Sequence, residues 1–285
     1  MTIANADELI NSMGNNSSRL ILDKNNSSTL TAAAWVAGNY YSLWKLTGQP
    51  GAGATPTTAA VCSNSLVGSF QFTQQTSPAT SYLGIFEAVQ PNAAVTLEIH
   101  DRLAHNGGLS GINNGGAQAV DIDLDLVLGT SNLSARKGDA NYSDVQWWLE
   151  WYVATGGTGV NATVNVTYND STSGNLTAFA LGTSVQNTRM IALNPYIPSA
   201  DSGKYIMRVN TVTLSGTTGT QGNFGVTATR YRASVFMPIA NARFTSNWAD
   251  LGLPEIYNSS CLFCVAIAGA TTSGIVKGTG KVVHG

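Results

Sequence analysis

Apolar and polar positions alternate with a period of two through most of the chain beyond Val67. Val160-Asn-Ala-Thr-Val-Asn-Val-Thr-Tyr168 puts Val160, Ala162, Val164, Val166 and Tyr168 on one face and Asn and Thr on the other. That is the pattern of a half-buried antiparallel strand. Val145 to Val153 sets Val145, Trp147, Leu149, Trp151 and Val153 against Gln146, Trp148, Glu150 and Tyr152. Val95, Leu97 and Ile99 alternate with Thr96, Glu98 and His100, and Ile122, Leu124, Leu126 and Leu128 alternate with Asp121, Asp123 and Asp125. Further strands are expected near Arg19–Leu22, Phe70–Thr73, Leu176–Leu181, Arg189–Leu193, Tyr205–Leu214, Phe224–Tyr231, Ser234–Pro238, Ser260–Ala268 and Ile275–Val283. Glycine-rich connectors such as Asn106–Gly116, Ser215–Gly222 and Gly269–Gly274 separate them. Ten or more short strands joined by such turns predict an all-β protein, a β-sandwich of jelly-roll type.

Ahead of the strands the periodicity changes. Residues 4 to 14 fit a short helix, with Asn5 as N-cap, Asp7 and Glu8 in the first turn and Gly14 at the end. Ala32 to Leu46 is ambiguous, because Gly38 interrupts a run of aromatic and aliphatic residues. Gln49 to Ala60 is rich in Gly, Pro, Thr and Ala and reads as a linker. The expected organisation is therefore an N-terminal arm over 1–60 with a little helix, followed by a β-sandwich domain over 61–285. A second short helix fits Asn241–Leu251, stopped near Gly252 and Pro254.

Composition narrows the function classes. Only 11% of the 285 residues are charged, with 14 basic and 16 acidic side chains, against about 25% in typical soluble domains. At 43% hydrophobic content and a net charge of −2 the chain can bury a core, and disorder is excluded. No clustered positive excess exists to neutralise phosphates, so nucleic acid is not an expected partner. The longest nearly apolar run, Cys261–Ala270, is half of a membrane span, and Met1–Met13 lacks the apolar stretch of a signal peptide. A soluble protein made in the cytosol, with no membrane partner, is the expectation. Asn-x-Thr triplets at Asn161, Asn165 and Asn175 then read as exposed strand faces rather than glycosylation sites.

Several residues invite a chemical reading. Asp121, Asp123 and Asp125 place three carboxylates on one strand face, a spacing that a calcium ion bridges with help from a loop, although the EF-hand glycine and distal glutamate are missing. The commoner outcome is a solvated or ion-paired face, with Arg102 offsetting part of the row if the two neighbouring strands pair. His100 and His105 flank Asp101 without a third ligand at a recurring spacing. Cys261 and Cys264 lie in a buried strand pattern, where positions three apart face opposite ways, and are expected to be inert with Cys62. Gly108-Leu-Ser-Gly111 lacks the second flanking glycine of a nucleophile elbow, and Gly278-Thr-Gly-Lys281 precedes no helix. No enzyme and no cofactor is expected. Trp147 and Trp151 belong to the core; Trp148 and Tyr152 then face outward and mark either a protein interface, which the neutral surface favours, or a sugar platform.

Three strings carry a resemblance: Ile99-His-Asp-Arg-Leu-Ala-His-Asn-Gly-Gly-Leu-Ser-Gly111, Trp148-Leu-Glu-Trp-Tyr152 with Ala-Thr-Gly-Gly-Thr-Gly159, and Leu251-Gly-Leu-Pro-Glu255. Together they resemble structural proteins of tailed-bacteriophage virions, most of all capsid decoration (cement) proteins, over Leu97 to Val283. The resemblance implies a non-enzymatic protein on the capsid surface of the virion, with the major capsid protein and copies of itself as partners. A tail or fibre component, with a glycan-binding host-recognition role, is the alternative.

Overall fold

The computed structural model describes residues 3–25, 34–77, 79–127, 134–272 and 275–285. The chain is mostly β, with antiparallel sheets packed as sandwiches in a jelly-roll-like manner and a short N-terminal helix. Helix α1 is Ala6–Asn15, and Asn5 caps it by accepting the Glu8 N–H at 2.9 Å. The strands are β1 Ser17–Asn25, β2 Tyr40–Ser42, β3 Thr47–Gln49, β4 Ala60–Val61, β5 Ser81–Val89, β6 Val95–His105, β7 Ala117–Asp123, β8 Val145–Val153 and β9 Val160–Tyr168. After them come β10 Ser173–Asn175, β11 Phe179–Gly182, β12 Arg189–Ala192, β13 Ile206–Leu214, β14 Asn223–Met237, β15 Arg243–Asn247, β16 Glu255–Ile256, β17 Leu262–Ala268 and β18 Val276–His284. Helix α2, Leu124–Val127, follows β7 directly, and α3, Trp248–Leu251, follows β15. The expected residues Leu128 and Gly274 lie outside the described residues, as do the first two of Ala32–Leu46.

Contacts divide the chain into two compact units. One comprises Met1–Ala54, Ser63–Asp101 and Arg232–Gly285; the other comprises Thr55–Cys62 and Arg102–Tyr231. In the first, β5, β18 and β1 form an antiparallel ladder flanked by β15 and β3, while β17 pairs with β2 and β6. Their inward residues, among them Leu20, Leu22, Phe86, Leu97, Ile99, Leu262 and Val282, make one core. In the second, β9 pairs with β10, β11 and β13, β13 pairs with β7, and β8 pairs with β12 and β14. Val164, Val166, Val209 and Val212 from one sheet meet Trp147, Leu149, Trp151 and Val226 from the other. Removing such aliphatic and aromatic side chains from water supplies about 1.5–3 kcal/mol each.

The division differs from the expected boundary near residue 60. The described residues before Ala54 do not trail as an arm, because Leu20, Leu22, Trp35, Tyr41, Leu43 and Leu46 are all buried in the first core. β9 matches the alternation residue for residue, whereas β8 keeps the expected span but buries Trp148, Glu150 and Tyr152 and exposes Val153. Phe70–Thr73 forms no strand, and the two stretches expected at Phe224–Tyr231 and Ser234–Pro238 run on as the single strand β14. β5 escapes a period-two reading for a local reason. Its register with β18 shifts between Lys281 and Val282, which leaves Gly84 as an extra residue and reverses the inward phase from Leu83 to Phe86.

Candidate functional site

β6, β8 and β14 carry the densest polar cluster, and it is sealed. Arg102 Nη2 lies 2.7 Å from Glu150 Oε2 and donates to the Tyr152 hydroxyl at 2.9 Å, while Arg102 Nε donates to His105 Nδ1 at 2.9 Å. Thr227 and Tyr152 also donate to Glu150 Oε2. The bond from Arg102 makes His105 Nδ1 an acceptor and so places any single ring proton on Nε2. Burial alone would lower the Arg102 pKa; the adjacent Glu150 carboxylate outweighs it and holds the guanidinium charged. Burial, then the Glu150 charge, pushes the Tyr152 phenol up. Arg136, equally buried, donates to the carbonyls of Cys62 and Arg102. These groups offer no open position for a substrate, and each hydrogen bond satisfies a buried charge that would otherwise be costly.

This cluster corrects the expectation that Trp148 and Tyr152 face outward. Trp148 is 3% exposed and Tyr152 1%. Both faces of β8 are covered, so its alternation separates two interiors rather than an interior from solvent. Trp148 Nε1 donates to Thr229 Oγ1 at 2.8 Å, and Tyr152 belongs to the arginine cluster. Neither presents a surface for a protein or a sugar.

The aspartate row is also rearranged. β7 ends at Asp123, whose Oδ1 accepts the Asp125 N–H at 2.9 Å and starts α2, so the alternation stops there and Leu126 is 81% exposed. β7 pairs with β13, not with β6. Consequently Arg208, rather than Arg102, faces the acids, 3.0 Å from Asp121 and 3.7 Å from Asp123. Lys137 approaches Asp125 at 3.2 Å, and the Tyr142 hydroxyl donates to the same carboxylate, a bond that holds Asp125 below the usual carboxylate range. Among the described residues no group of three His, Cys, Asp or Glu side chains is arranged to hold a metal ion.

The remaining candidates have separate partners. His100 Nε2 meets Glu98 Oε2 at 2.8 Å, and Asp101 accepts from Ser260 Oγ at 2.9 Å and the Cys261 N–H at 2.8 Å. Cys62, Cys261 and Cys264 are buried thiols outside any disulfide, and burial raises the Cys264 thiol far above its ordinary value. On the outer face of the β9 ladder, Asn165, Asn175 and Asn210 bond to one another, with side-chain distances of 2.8 and 2.9 Å. No helix among the described residues is long and apolar enough to cross a membrane.

Several large apolar side chains also stand open. Ile10, Ile21, Val67, Leu126, Phe236, Ile239 and Trp248 are exposed. Ile21 and Val67 line a groove of about 200 Å³ beside β1, with Arg19, Pro50 and Gln71. The alternation contains the signal for Ile21: in the run Leu20-Ile-Leu22, the middle residue must face away from the core.

No family model and no curated protein matches the chain. Solved structures returned by comparison include the VP2 subviral particle of infectious bursal disease virus, at 10% identity over 94% of this chain and 79% of that one, with a TM-score of 0.19. The T13 particle of the same virus gives 10% identity, 94% and 76% coverage and a TM-score of 0.20. Superpositions of that quality assign neither fold nor function. The tailed-phage decoration resemblance is accordingly withdrawn: no family model or curated protein joins the chain to phage proteins, and the structures found are particles of infectious bursal disease virus. Ile99–Gly111 and Trp148–Tyr152 are largely interior strand residues, which record packing demands rather than a shared task.

Proposed function

We propose that this chain is a non-enzymatic structural protein of a virus particle and acts by associating with copies of itself. One observation carries the reading. The polar groups that the sequence offers for chemistry are sealed in a core network or held in ion pairs, while large apolar side chains stand in solvent. Enzymes place perturbed titratable groups in an accessible cleft; here Arg102, Glu150 and Tyr152 are enclosed. Low charge suits extended neutral interfaces, since long charged side chains lose rotamer entropy when ordered. Sedimentation and negative-stain microscopy of the purified protein test it. The expected result is concentration-dependent association into regular particles or sub-assemblies. A chain that stays monomeric up to about 100 μM overturns the reading.

A further inference from the structure

Resting on that self-association reading, we propose that the groove beside β1 receives helix α1 of a second copy, in a reciprocal two-fold contact. β1 pairs with β18 along Ser17–Lys24, but β3 covers its other edge only at Asp23–Asn25. Proline at position 50 has no N–H with which to continue that ladder. Alongside Arg19–Leu22 the groove opens, with Ile21 52% and Val67 65% exposed.

Charge selects the occupant. Arg19 stands directly across from Lys281 in the β1–β18 register, and like charges so placed repel. Lys281 Nζ is occupied by the Met13 carbonyl at 2.8 Å, near the end of α1. Arg19 Nε reaches only the neutral Thr279 Oγ1 at 3.2 Å, and among the described residues no carboxylate pairs with it. The groove therefore suits a ligand with one carboxylate next to one aliphatic side chain.

α1 presents that pair. Asp7 and Ile10 are three residues apart, hence neighbours on one helical face, and both are exposed, Ile10 at 67%. Asp7 has no cation partner among the described residues. Seating Ile10 against Ile21 and Val67 brings the carboxylate to the arginine side of the groove. Because groove and helix lie on the same chain, a two-fold axis forms both contacts twice. The open edge of β1 is then covered by a helix, one of the ways proteins guard such edges.

The dimerisation constant measured by sedimentation equilibrium tests the contact. Arg19→Asp and Asp7→Arg should each weaken association about tenfold or more, and the double exchange Asp7→Arg/Arg19→Asp should recover most of the loss. Both positions are exposed, and thermal melting of each variant confirms the fold; Ile10→Asn gives an independent reading through the apolar half. Association unchanged in the single variants, or not recovered in the exchange, overturns the groove assignment and leaves the structural role standing. A wild-type chain that never associates overturns both.

Discussion

Lys24 lies on the inward face of β1 with Leu20 and Leu22, and its ammonium donates to the carbonyls of Leu46 at 3.0 Å and Gly51 at 3.2 Å. Burial lowers its pKa to about 8, an effect that the nearby Cys264 only partly opposes. The fold therefore prefers the neutral amine. Between about pH 8 and the unfolded value near 10.5 the unfolded chain binds more protons, so stability rises with pH across that window, by about 3 kcal/mol in all. Lys24→Met should stabilise the protein at pH 7 by about 1–3 kcal/mol and flatten this slope in urea titrations. Trp44 makes a second residue-scale test. Its indole is clasped between Gly53 and Gly68, where an added Cβ would enter the ring's van der Waals envelope. Gly53→Ala or Gly68→Ala should cost about 1–3 kcal/mol, read as a lowered Tm. Gly14→Ala, in α1 with nothing near the new methyl, should instead raise the Tm.

At the scale of elements, β8 shows what alternation conveys and what it omits. Its two faces are plain in Val145–Val153, but which face meets water depends on strands contributed from elsewhere in the chain. A Trp/Glu/Tyr face can be buried only because Arg102 arrives from β6 and Thr227 from β14. A buried ion pair has a large desolvation cost, and removing one partner strands the other. Glu150→Ala should therefore lose about 3–5 kcal/mol in denaturant unfolding, whereas Arg102→Met/Glu150→Leu should recover much of that loss. Capping was legible at Asn5, which begins α1. The helix expected over Asn241–Leu251 was not: Arg243–Asn247 pairs with β5 as β15, and only Trp248–Leu251 is helical, boxed by Asn247 and Asp250 and ended at Gly252. The aspartate row was not legible either. Whether Asp121, Asp123 and Asp125 gather a cation or an arginine depends on β13 pairing with β7, information held nearly ninety residues away at Arg208. The groove at β1 was half legible, through Ile21, because Val67 reaches it only by tertiary placement.

For the molecule as a whole, β1, β18 and β5 tie distant chain segments together, and His284 lies in that ladder. Its ring meets Ser18 Oγ at 3.0 Å and Ser81 Oγ at 2.9 Å, one hydroxyl from each neighbouring strand. Burial lowers its pKa, so the fold holds the neutral ring. The associated stability is complete above the unfolded value near 6.5 and declines as the pH falls below it. Urea midpoints at pH 7.5 and 5 should differ accordingly, and His284→Asn should shrink the difference.

Ser18 and His284 are 266 residues apart. A ribosome must therefore translate all the sequence between them before β1 can acquire its partner β18. The unit built largely from Arg102–Tyr231 needs nothing made later and can close while synthesis continues. Meanwhile β1 and β5 wait with hydrogen-bonding edges uncovered, at a stage when nascent copies on one message are crowded together. For a chain that associates with its own kind, the order of manufacture delays the completed first unit, and with it any assembly that depends on it, until β18 has emerged.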